Sequence, residues 1–324
     1  MSRERARSKR WIVREGDGLT VGDIVRRAGE APSAIEHGRV FVGRVRAKLG
    51  SERVRPGDEV TIGAAATARA RAGDPTDGGA SGEPWALLWH EDGLLACSKP
   101  AGIPTVPDHE GASHALVALA ARAVGRDAGE LFVTSRLDRE VSGVVVFATS
   151  PEAEARLRLA REQGRYARRY VALAAGGSAL LAGVWDAPIG GGKDPRHRAA
   201  FGPDAKAART RWAVVARAAS DVAMLAVAPE TGRTHQIRVH ASHAGAPLLG
   251  DRDYGGPSRM TLVDGRVIAL SRVALHAARV TVPGARGQTL VADAPIPSEL
   301  GRAWLTLGGV AEAWDRAISC ELEP

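Results

Sequence analysis

Short apolar runs separated by glycine, proline and polar residues recur along most of the chain. Runs of this kind, bounded by turn residues, are typical of β-strands. The strands predicted in this way are Trp85–His90, Gly93–Ser98, Val144–Ala148, Tyr170–Ala174, Thr210–Val215 and Val222–Val227. Because strands follow strands more often than they alternate with helices, the pattern predicts an α+β fold with a mixed, mainly antiparallel β-sheet.

Two segments have helical rather than strand spacing. Ser150 followed by Pro151 indicates a helix start with a side-chain cap, and Gly164 is a natural end. A second helix is predicted between Thr234, which can cap it, and Gly245, which ends it. Its predicted apolar face consists of Ile237, Ala241 and Ala244.

The beginning of the chain is organised separately from the rest. Helical spacing is found at Leu19, Val21, Ile24 and Val25, and short strands are predicted at Val40–Val42 and within Val54–Ile62. Residues 64–84 are small, polar and rich in glycine and proline, as in linkers. We therefore predict a small α/β domain at 1–63, a linker at 64–84, a larger domain at 85–300 and a C-terminal tail at 301–324.

Charge is distributed unevenly. The chain of 324 residues has a formal net charge of +7, and residues 1–73 contain 16 basic and 9 acidic side chains, so the remainder is neutral. A basic segment is typical of a surface that binds nucleic acid, because neutralised phosphates release their counterions. A solvated basic surface explains the charge equally well, and GC-rich coding would favour its arginines.

Several classes of protein are excluded by composition. No apolar run approaches the roughly 18 to 20 residues of a membrane span, and the basic amino terminus lacks the apolar stretch of a secretory signal. The two cysteines, Cys97 and Cys320, are too few for a disulfide framework or a zinc site. We expect a cytoplasmic protein without a metal or other cofactor.

The first candidate for chemistry is Asp138, which stands just before the buried strand that starts at Val144. Arg136 and Arg139 flank it and would stabilise a carboxylate that acts as nucleophile or base. The alternative is that Asp138 caps a turn and pairs with an arginine. The second candidate is Arg238, near the first turn of the predicted helix, where a cation needs an anionic partner.

Six motifs in order resemble those of the RluA-type pseudouridine synthases over residues 85–283. They are Lys99–Pro104, Arg136–Asp138 with Ser142–Gly143, Arg168–Tyr170, Thr231–His240, Gly250–Gly255 and Leu275–Ala277. The resemblance implies an enzyme that isomerises uridine to pseudouridine in structured RNA without a cofactor. It also implies a mixed, mainly antiparallel α+β catalytic domain. We expect the protein to be a monomer.

The same resemblance implies a role for each matched residue. Asp138 would be the catalytic carboxylate, either adding to the anomeric carbon or removing a ribose proton. Tyr170 would stack on the flipped uracil, and Arg238 would pair with Asp138. Arg136 would fill the space that the uridine leaves in the RNA stack.

Residues 18–63 resemble the S-four-type RNA-binding domain through the strings at 38–43 and 55–60. This resemblance implies RNA contacts by Arg26, Arg27, Arg39, Arg44 and Arg46. A degenerate packing domain is the alternative. For the whole protein, the alternatives are a non-catalytic RNA-binding or ribosome-assembly protein and a nucleoside or glycoside hydrolase. A hydrolase usually needs a second carboxylate across the scissile bond, and none is evident in the sequence.

Overall fold

The computed structural model divides the chain into two compact units, residues 1–70 and 71–324. The residues that the structure describes are 9–17, 20–29, 35, 40–43, 45–47, 49–62, 84–108, 114–176, 181–218, 221–262 and 264–322. The predicted linker therefore lies outside the described residues, apart from Pro84.

The described residues of the N-terminal unit include a helix and a four-stranded antiparallel sheet. Its elements are β1 (Lys9–Ile12), α1 (Val21–Arg27), β2 (Val40–Val42), β3 (Val45–Arg46) and β4 (Glu59–Ile62). The strand order is β1-β4-β2-β3. Helix α1 begins after Thr20, whose hydroxyl accepts the Asp23 N–H in a capping box. The predicted helical face is confirmed at Val21, Ile24 and Val25, which are buried, whereas Leu19 lies outside the described residues.

The second unit is built on one large sheet. The strands of this unit are β5 (Ala86–Glu91), β6 (Leu94–Lys99), β7 (Phe132–Val133), β8 (Ser142–Ala148), β9 (Ala167–Ala175), β10 (Ala182–Trp185), β11 (Ile189–Gly191), β12 (Arg198–Ala200), β13 (Thr210–Ala218), β14 (Val222–Pro229), β15 (Arg259–Thr261), β16 (Val267–Ala269), β17 (Leu275–Pro283) and β18 (Thr289–Asp293). The pairs β11-β12 and β15-β16 form two small sheets of their own. The helices of this unit are α2 (Leu116–Ala123), α3 (Pro151–Glu162), α4 (Gln236–His243), α5 (Ser298–Thr306) and α6 (Ala313–Ser319).

The large sheet is mixed and mainly antiparallel, which confirms the predicted fold class. Its order is β10-β13-β14-β9-β17-β8-β6-β5, with β18 on β17 and β7 on β8. The parallel pair is β8 with β17, where Ser142 lies opposite His276 and Gly143 opposite Ala277. Gly143 has φ 125°, and a Cβ there would lie 2.2 Å from the Ala277 carbonyl oxygen. Only glycine allows the two strands to approach so closely.

Both faces of the central sheet are covered. Alternate residues of β9 show this: Tyr170 and Ala172 pack in the cluster that contains α4, and Val171 and Leu173 pack in the cluster that contains α5 and α6. The predicted tail at 301–324 differs from what the structure shows, since α5 already begins at Ser298 and continues past residue 300. Trp304 and Trp314, from this segment, are buried in the second cluster.

The two helices predicted in the larger domain are present as α3 and α4. Ser150 accepts the Ala153 N–H at the start of α3, as predicted. Helix α4 begins one residue later than a cap at Thr234 would give, because the residue before it is His235 in the left-handed region at φ 57°. Ile237 and Ala241 are buried, whereas Ala244 is exposed. Among the described residues, no helix has the length and apolar character to cross a membrane.

Candidate active site

An open cleft of about 1650 Å³ lies where the loop before β8 faces the beginning of β9 and the beginning of α4. It is lined by all four residues predicted for the catalytic domain, which are Arg136, Asp138, Tyr170 and Arg238. These side chains come from three segments that are far apart in sequence. The structure therefore brings the predicted site together in one place.

The loop that carries Asp138 is fixed by hydrogen bonds on both sides of the carboxylate. The Thr105 hydroxyl donates to the Leu137 carbonyl at 2.9 Å and accepts the Leu137 N–H at 3.0 Å. On the other side, the Gly102 N–H donates to the Arg139 carbonyl at 2.8 Å. Asp138 itself is half-buried. Its backbone is thus held while its side chain remains open to the cleft.

Lys99 lies beneath this loop and is fully buried. Its Nζ donates to the carbonyl oxygens of Pro100, Ile103 and Arg139 at 3.0, 2.8 and 3.1 Å. Burial lowers the pKa of Lys99 to about 7, while three carbonyl acceptors match the three donors of an ammonium group. Lys99 therefore joins the segment after β6 to the Asp138 loop, a role that the sequence analysis missed.

Arg238 is shared among three carboxylates. It donates to Asp251 through Nε at 2.8 Å and Nη2 at 2.7 Å, and to Asp253 through Nη2 at 2.8 Å. The predicted pair with Asp138 is the longest of the contacts, at 3.5 Å from Nη1. Although burial opposes its charged form, the hydrogen bonds to Asp251 and Asp253 raise the pKa of Arg238. Asp251 therefore fixes the guanidinium, which in turn faces Asp138.

Tyr170 forms an aromatic wall of the cleft. It lies in β9 between Ala277 of β17 and Val227 of β14, and only 7% of its surface is exposed. Burial raises the pKa of Tyr170, so its hydroxyl is neutral at physiological pH. Its neighbour Arg168 donates to the carbonyls of Pro229 and Thr231. Tyr170 thus presents a rigid ring to whatever enters the cleft.

Sequence analysis missed four further side chains at this site. They are Asp251 and Asp253, which bind Arg238, and His235 and Tyr254, which bond to each other at 2.7 Å. Three of them lie in the motif Gly250–Gly255, so the signal was present without a role attached to it. His235 also approaches the carboxylate, since its Nε2 lies 3.9 Å from Asp138 Oδ2.

The arginines predicted for RNA contact in the N-terminal unit are only partly described. Arg26 is paired with Asp23 at 2.7 Å and Arg27 with Asp17 at 3.1 Å; both arginines are exposed, whereas Asp17 is buried. Arg39 and Arg44 lie outside the described residues, as does the side chain of Arg46. In the second unit, Arg136 is exposed at the cleft.

The arrangement suits acid–base or nucleophilic chemistry on a large anionic substrate. The cleft is open and lined by arginines, and its half-buried carboxylate faces a fixed guanidinium and a neutral tyrosine. In the part of the chain that the structure describes, no three His, Cys, Asp or Glu side chains form a group that could hold a metal ion. A carboxylate among arginines in a cleft is the arrangement of an enzyme that acts on an anionic substrate, because binding phosphates alone requires only cations.

Comparison with known proteins identifies the family. A family model described as RNA pseudouridylate synthase matches residues 93–243. The chain is 34% identical to the RNA pseudouridine synthase YhcT of Bacillus subtilis over 66% of its own length and 69% of that protein. It is 31% identical to the dual-specificity RNA pseudouridine synthase RluA of Escherichia coli, over 66% of this chain and 94% of that protein. The protein belongs to the RluA-type RNA pseudouridine synthases and is therefore an isomerase that acts on RNA.

Solved structures support the fold. The human RNA pseudouridylate synthase domain containing 1 superposes with a TM-score of 0.56 at 22% identity, over 74% of this chain and 96% of that chain. The human RNA pseudouridylate synthase domain containing 4 superposes with a TM-score of 0.54 at 22% identity, over 68% of this chain and 92% of that chain. At this identity the likeness shows the shared α+β architecture.

Proposed function

We propose that the protein converts uridine to pseudouridine in structured RNA, with large-subunit ribosomal RNA favoured over transfer RNA. The observation that carries this proposal is the half-buried Asp138 carboxylate opposite Tyr170 and Arg238 in an open, arginine-lined cleft. The ribosomal preference draws support from 34% identity to the ribosomal large subunit pseudouridine synthase D of Nitrosomonas europaea, over 67% of this chain and 63% of that protein. We propose that the enzyme acts in the cytoplasm as a monomer.

The proposed reaction rearranges one nucleotide without adding or removing atoms. The bond from ribose C1′ to uracil N1 breaks, the base rotates, C1′ bonds to C5, and the C5 proton is lost as N1 gains one. Asp138 begins the sequence, either by adding to C1′ or by removing a ribose proton. No electrons enter or leave, so no redox cofactor is required.

The other side chains hold the nucleotide during this rearrangement. A uridine stacked in RNA cannot present its glycosidic bond, so it must be extruded into the cleft at a cost of a few kcal/mol. Exposed Arg136 would occupy the vacated place in the stack. The buried ring of Tyr170 would contact the free uracil face and keep it near C1′ while it turns, since stacking on an aromatic ring is worth about 1–3 kcal/mol.

The N-terminal unit is proposed as an S-four-type RNA-binding domain. Its support is the excess of positive charge in residues 1–73 and the compact helix and sheet of this unit. Arg26 and Arg27 would exchange their carboxylate partners for phosphate. Surface ion pairs contribute only about 0–1 kcal/mol, so this exchange is easy.

Pseudouridine mapping in cellular RNA tests the proposal. Total RNA is compared from cells with the gene, without it, and complemented with the wild type, Asp138→Asn or Asp264→Asn. Asp264 is an exposed turn residue and serves as the matched control. We expect loss of modification at a site in large-subunit ribosomal RNA, restored by the wild type and Asp264→Asn only.

Each other outcome has a distinct meaning. Restoration by Asp138→Asn would refute the role of Asp138. Loss of a transfer RNA modification alone would refute the ribosomal preference. Unchanged modification, together with RNA crosslinking to the protein, would favour the non-catalytic RNA-binding alternative.

A further inference from the structure

His235 lies directly beside the carboxylate that the proposed function makes catalytic. Its Nε2 is 3.9 Å from Asp138 Oδ2, and its side chain is only 17% exposed. Arg238 Nη1 approaches the same oxygen at 3.5 Å. Since both groups address Oδ2, the other oxygen of Asp138 is left for the nucleotide. The carboxylate is therefore contacted from one side and open on the other.

The other nitrogen of the His235 ring is held by Tyr254. Nδ1 of His235 lies 2.7 Å from Tyr254 Oη, and the same oxygen accepts the backbone N–H of Arg198 at 2.9 Å. Among the described residues, His235 Nδ1 is the one acceptor that lies within hydrogen-bond distance of the Tyr254 hydroxyl. A phenol has one hydrogen to donate. Donation of this hydrogen to Nδ1 gives both groups a partner, and the proton of the neutral imidazole is then on Nε2, facing Asp138.

Two further features agree with a neutral ring in a fixed position. Burial lowers the pKa of His235, so the imidazole is uncharged at physiological pH, although Asp138 opposes this shift. His235 also occupies the left-handed region at φ 57° just before α4. A non-glycine residue in this region is uncommon and often marks a functional position.

We propose that His235 is a positioning residue, whose Nε2–H orients the Asp138 carboxylate while Tyr254 fixes the imidazole tautomer. The inference rests on the proposed catalytic role of Asp138. At 3.9 Å the contact exceeds a hydrogen bond, but such contacts commonly shorten when substrate binds. Asp138 then has two donors on Oδ2, one charged and one neutral, and its free oxygen is aimed at the ribose.

Two amide substitutions separate this role from a structural one. The amide nitrogen of Gln reaches the place of imidazole Nε2, whereas the shorter Asn reaches only that of Nδ1. Asn, however, tolerates the left-handed backbone better than Gln. If His235 positions Asp138, His235→Gln should retain more activity than His235→Asn. If its role is only to permit φ 57°, the order should be reversed.

Steady-state kinetics on an RNA that the wild type modifies provide the first measurement. We expect His235→Asn to lower kcat by about 10- to 100-fold with KM little changed, as for other residues that orient a reacting group. His235→Gln should stay within about tenfold of the wild type. His90→Gln and His90→Asn, at an exposed position in β5, are the matched controls and should both be fully active. Equal losses for the two His235 variants, or a greater loss for Gln, would overturn the proposal.

Imidazole ¹⁵N chemical shifts provide a second measurement that does not depend on activity. The His235 signal is assigned by its disappearance in His235→Gln. The wild type should show the Nε2–H tautomer, and Tyr254→Phe should lose this preference. An Nδ1–H tautomer in the wild type would overturn the inference. An active Asp138→Asn would instead refute the proposed function and leave the tautomer result standing.

Discussion

A single guanidinium serves both structure and chemistry at this site. Arg238 is almost completely buried and binds Asp251 through two hydrogen bonds, while its remaining nitrogen faces Asp138 at 3.5 Å. Asp251 has no exposed side-chain surface, whereas Asp253 is half-exposed. The contribution of Arg238 to folding stability should therefore depend mainly on its pair with Asp251. Its contribution to the reaction should depend on its contact with Asp138.

Asp251→Asn and Asp253→Asn should have very different effects on stability. Removing one partner of a buried ion pair typically costs about 3–5 kcal/mol, and an exposed pair contributes about 0–1 kcal/mol. We expect Asp251→Asn to approach the first value and Asp253→Asn to remain within the second. Urea unfolding at pH 7 measures both free energies. Equal losses would show that Arg238 is not anchored by Asp251.

The buried His276 should make stability depend on pH. It bonds to Ser142 Oγ through Nδ1 at 2.9 Å, and burial lowers its pKa to about 3. Between pH 6.5 and 3, the unfolded chain takes up a proton at this residue and the folded chain does not. Its contribution to stability is therefore complete above about pH 6.5 and is lost as the pH falls, by up to about 1.4 kcal/mol per pH unit.

His276→Gln should flatten this acid dependence. We expect the variant to be less stable than the wild type at pH 7, because the Ser142 contact is altered, but to lose stability more slowly down to about pH 4.5. Urea unfolding over this pH range gives both slopes. Parallel slopes would mean that His276 is protonated in the folded protein.

At the scale of elements, the join between β8 and β17 holds the site together. Strand β8 follows the Asp138 loop, and β17 lies between β8 and β9, which carries Tyr170. The register places Gly143 against Ala277, and Ala277 against Tyr170. The distance between Tyr170 and the start of β8, which follows the Asp138 loop, is thus set across three adjacent strands.

Gly143→Ala should disturb this join strongly. The new methyl group would overlap the Ala277 backbone, and φ 125° is unfavourable for alanine. Overpacking and backbone strain each cost about 1–3 kcal/mol, so the variant should lose about 2–6 kcal/mol. Gly164→Ala is the control, since φ is 69° there and no atom lies within 4 Å of the added carbon. Thermal unfolding compares the two, and similar losses would contradict a special role for Gly143.

Local pattern predicted six strands and two helices of the larger domain, but not the central strand β17. Strands such as Val144–Ala148 were evident because they are apolar throughout, and α3 because Ser150 and Pro151 precede it. The start of α4 was placed wrongly, since a left-handed histidine leaves no local signal. The helices near the end of the chain were missed because their burial depends on tryptophans that meet the sheet only in the folded state.

The site residues were predictable to a different extent. Asp138, Tyr170, Arg238 and Arg136 were proposed through motif resemblance, and the structure gathers them in one cleft. Asp251 was not proposed as the partner of Arg238, because no local sequence pattern links the two residues. Only the complete burial of the Asp251 side chain reveals this role. The roles of His235 and Lys99 depend equally on three-dimensional contacts.

At the scale of the whole molecule, the net positive charge is concentrated in residues 1–73. The second unit has its own core clusters and contains every candidate catalytic residue. Binding and chemistry should therefore be separable. The N-terminal unit would raise the affinity for RNA, and the second unit would isomerise the nucleotide.

Deleting residues 1–83 should weaken RNA binding and reduce its salt dependence. For single-stranded RNA, the logarithm of the affinity falls by about 0.7 per phosphate contact for each tenfold rise in salt. We expect a shallower slope for the truncated protein, which should still modify a short RNA at high concentration. Filter binding over a salt series compares both proteins. Equal slopes, with aggregation of the truncated protein, would favour a degenerate packing domain.

The position of β17 has a consequence for how the protein is made. In the part of the chain that the structure describes, strands β5, β6 and β8 are connected in the sheet to β9, β10, β13 and β14 through β17, which follows both groups in sequence. On the ribosome, β17 is therefore synthesised roughly ten seconds after β8, the strand with which it pairs. During that interval the nascent chain exposes two unpaired strand edges, and these are surfaces that chaperones would protect from aggregation.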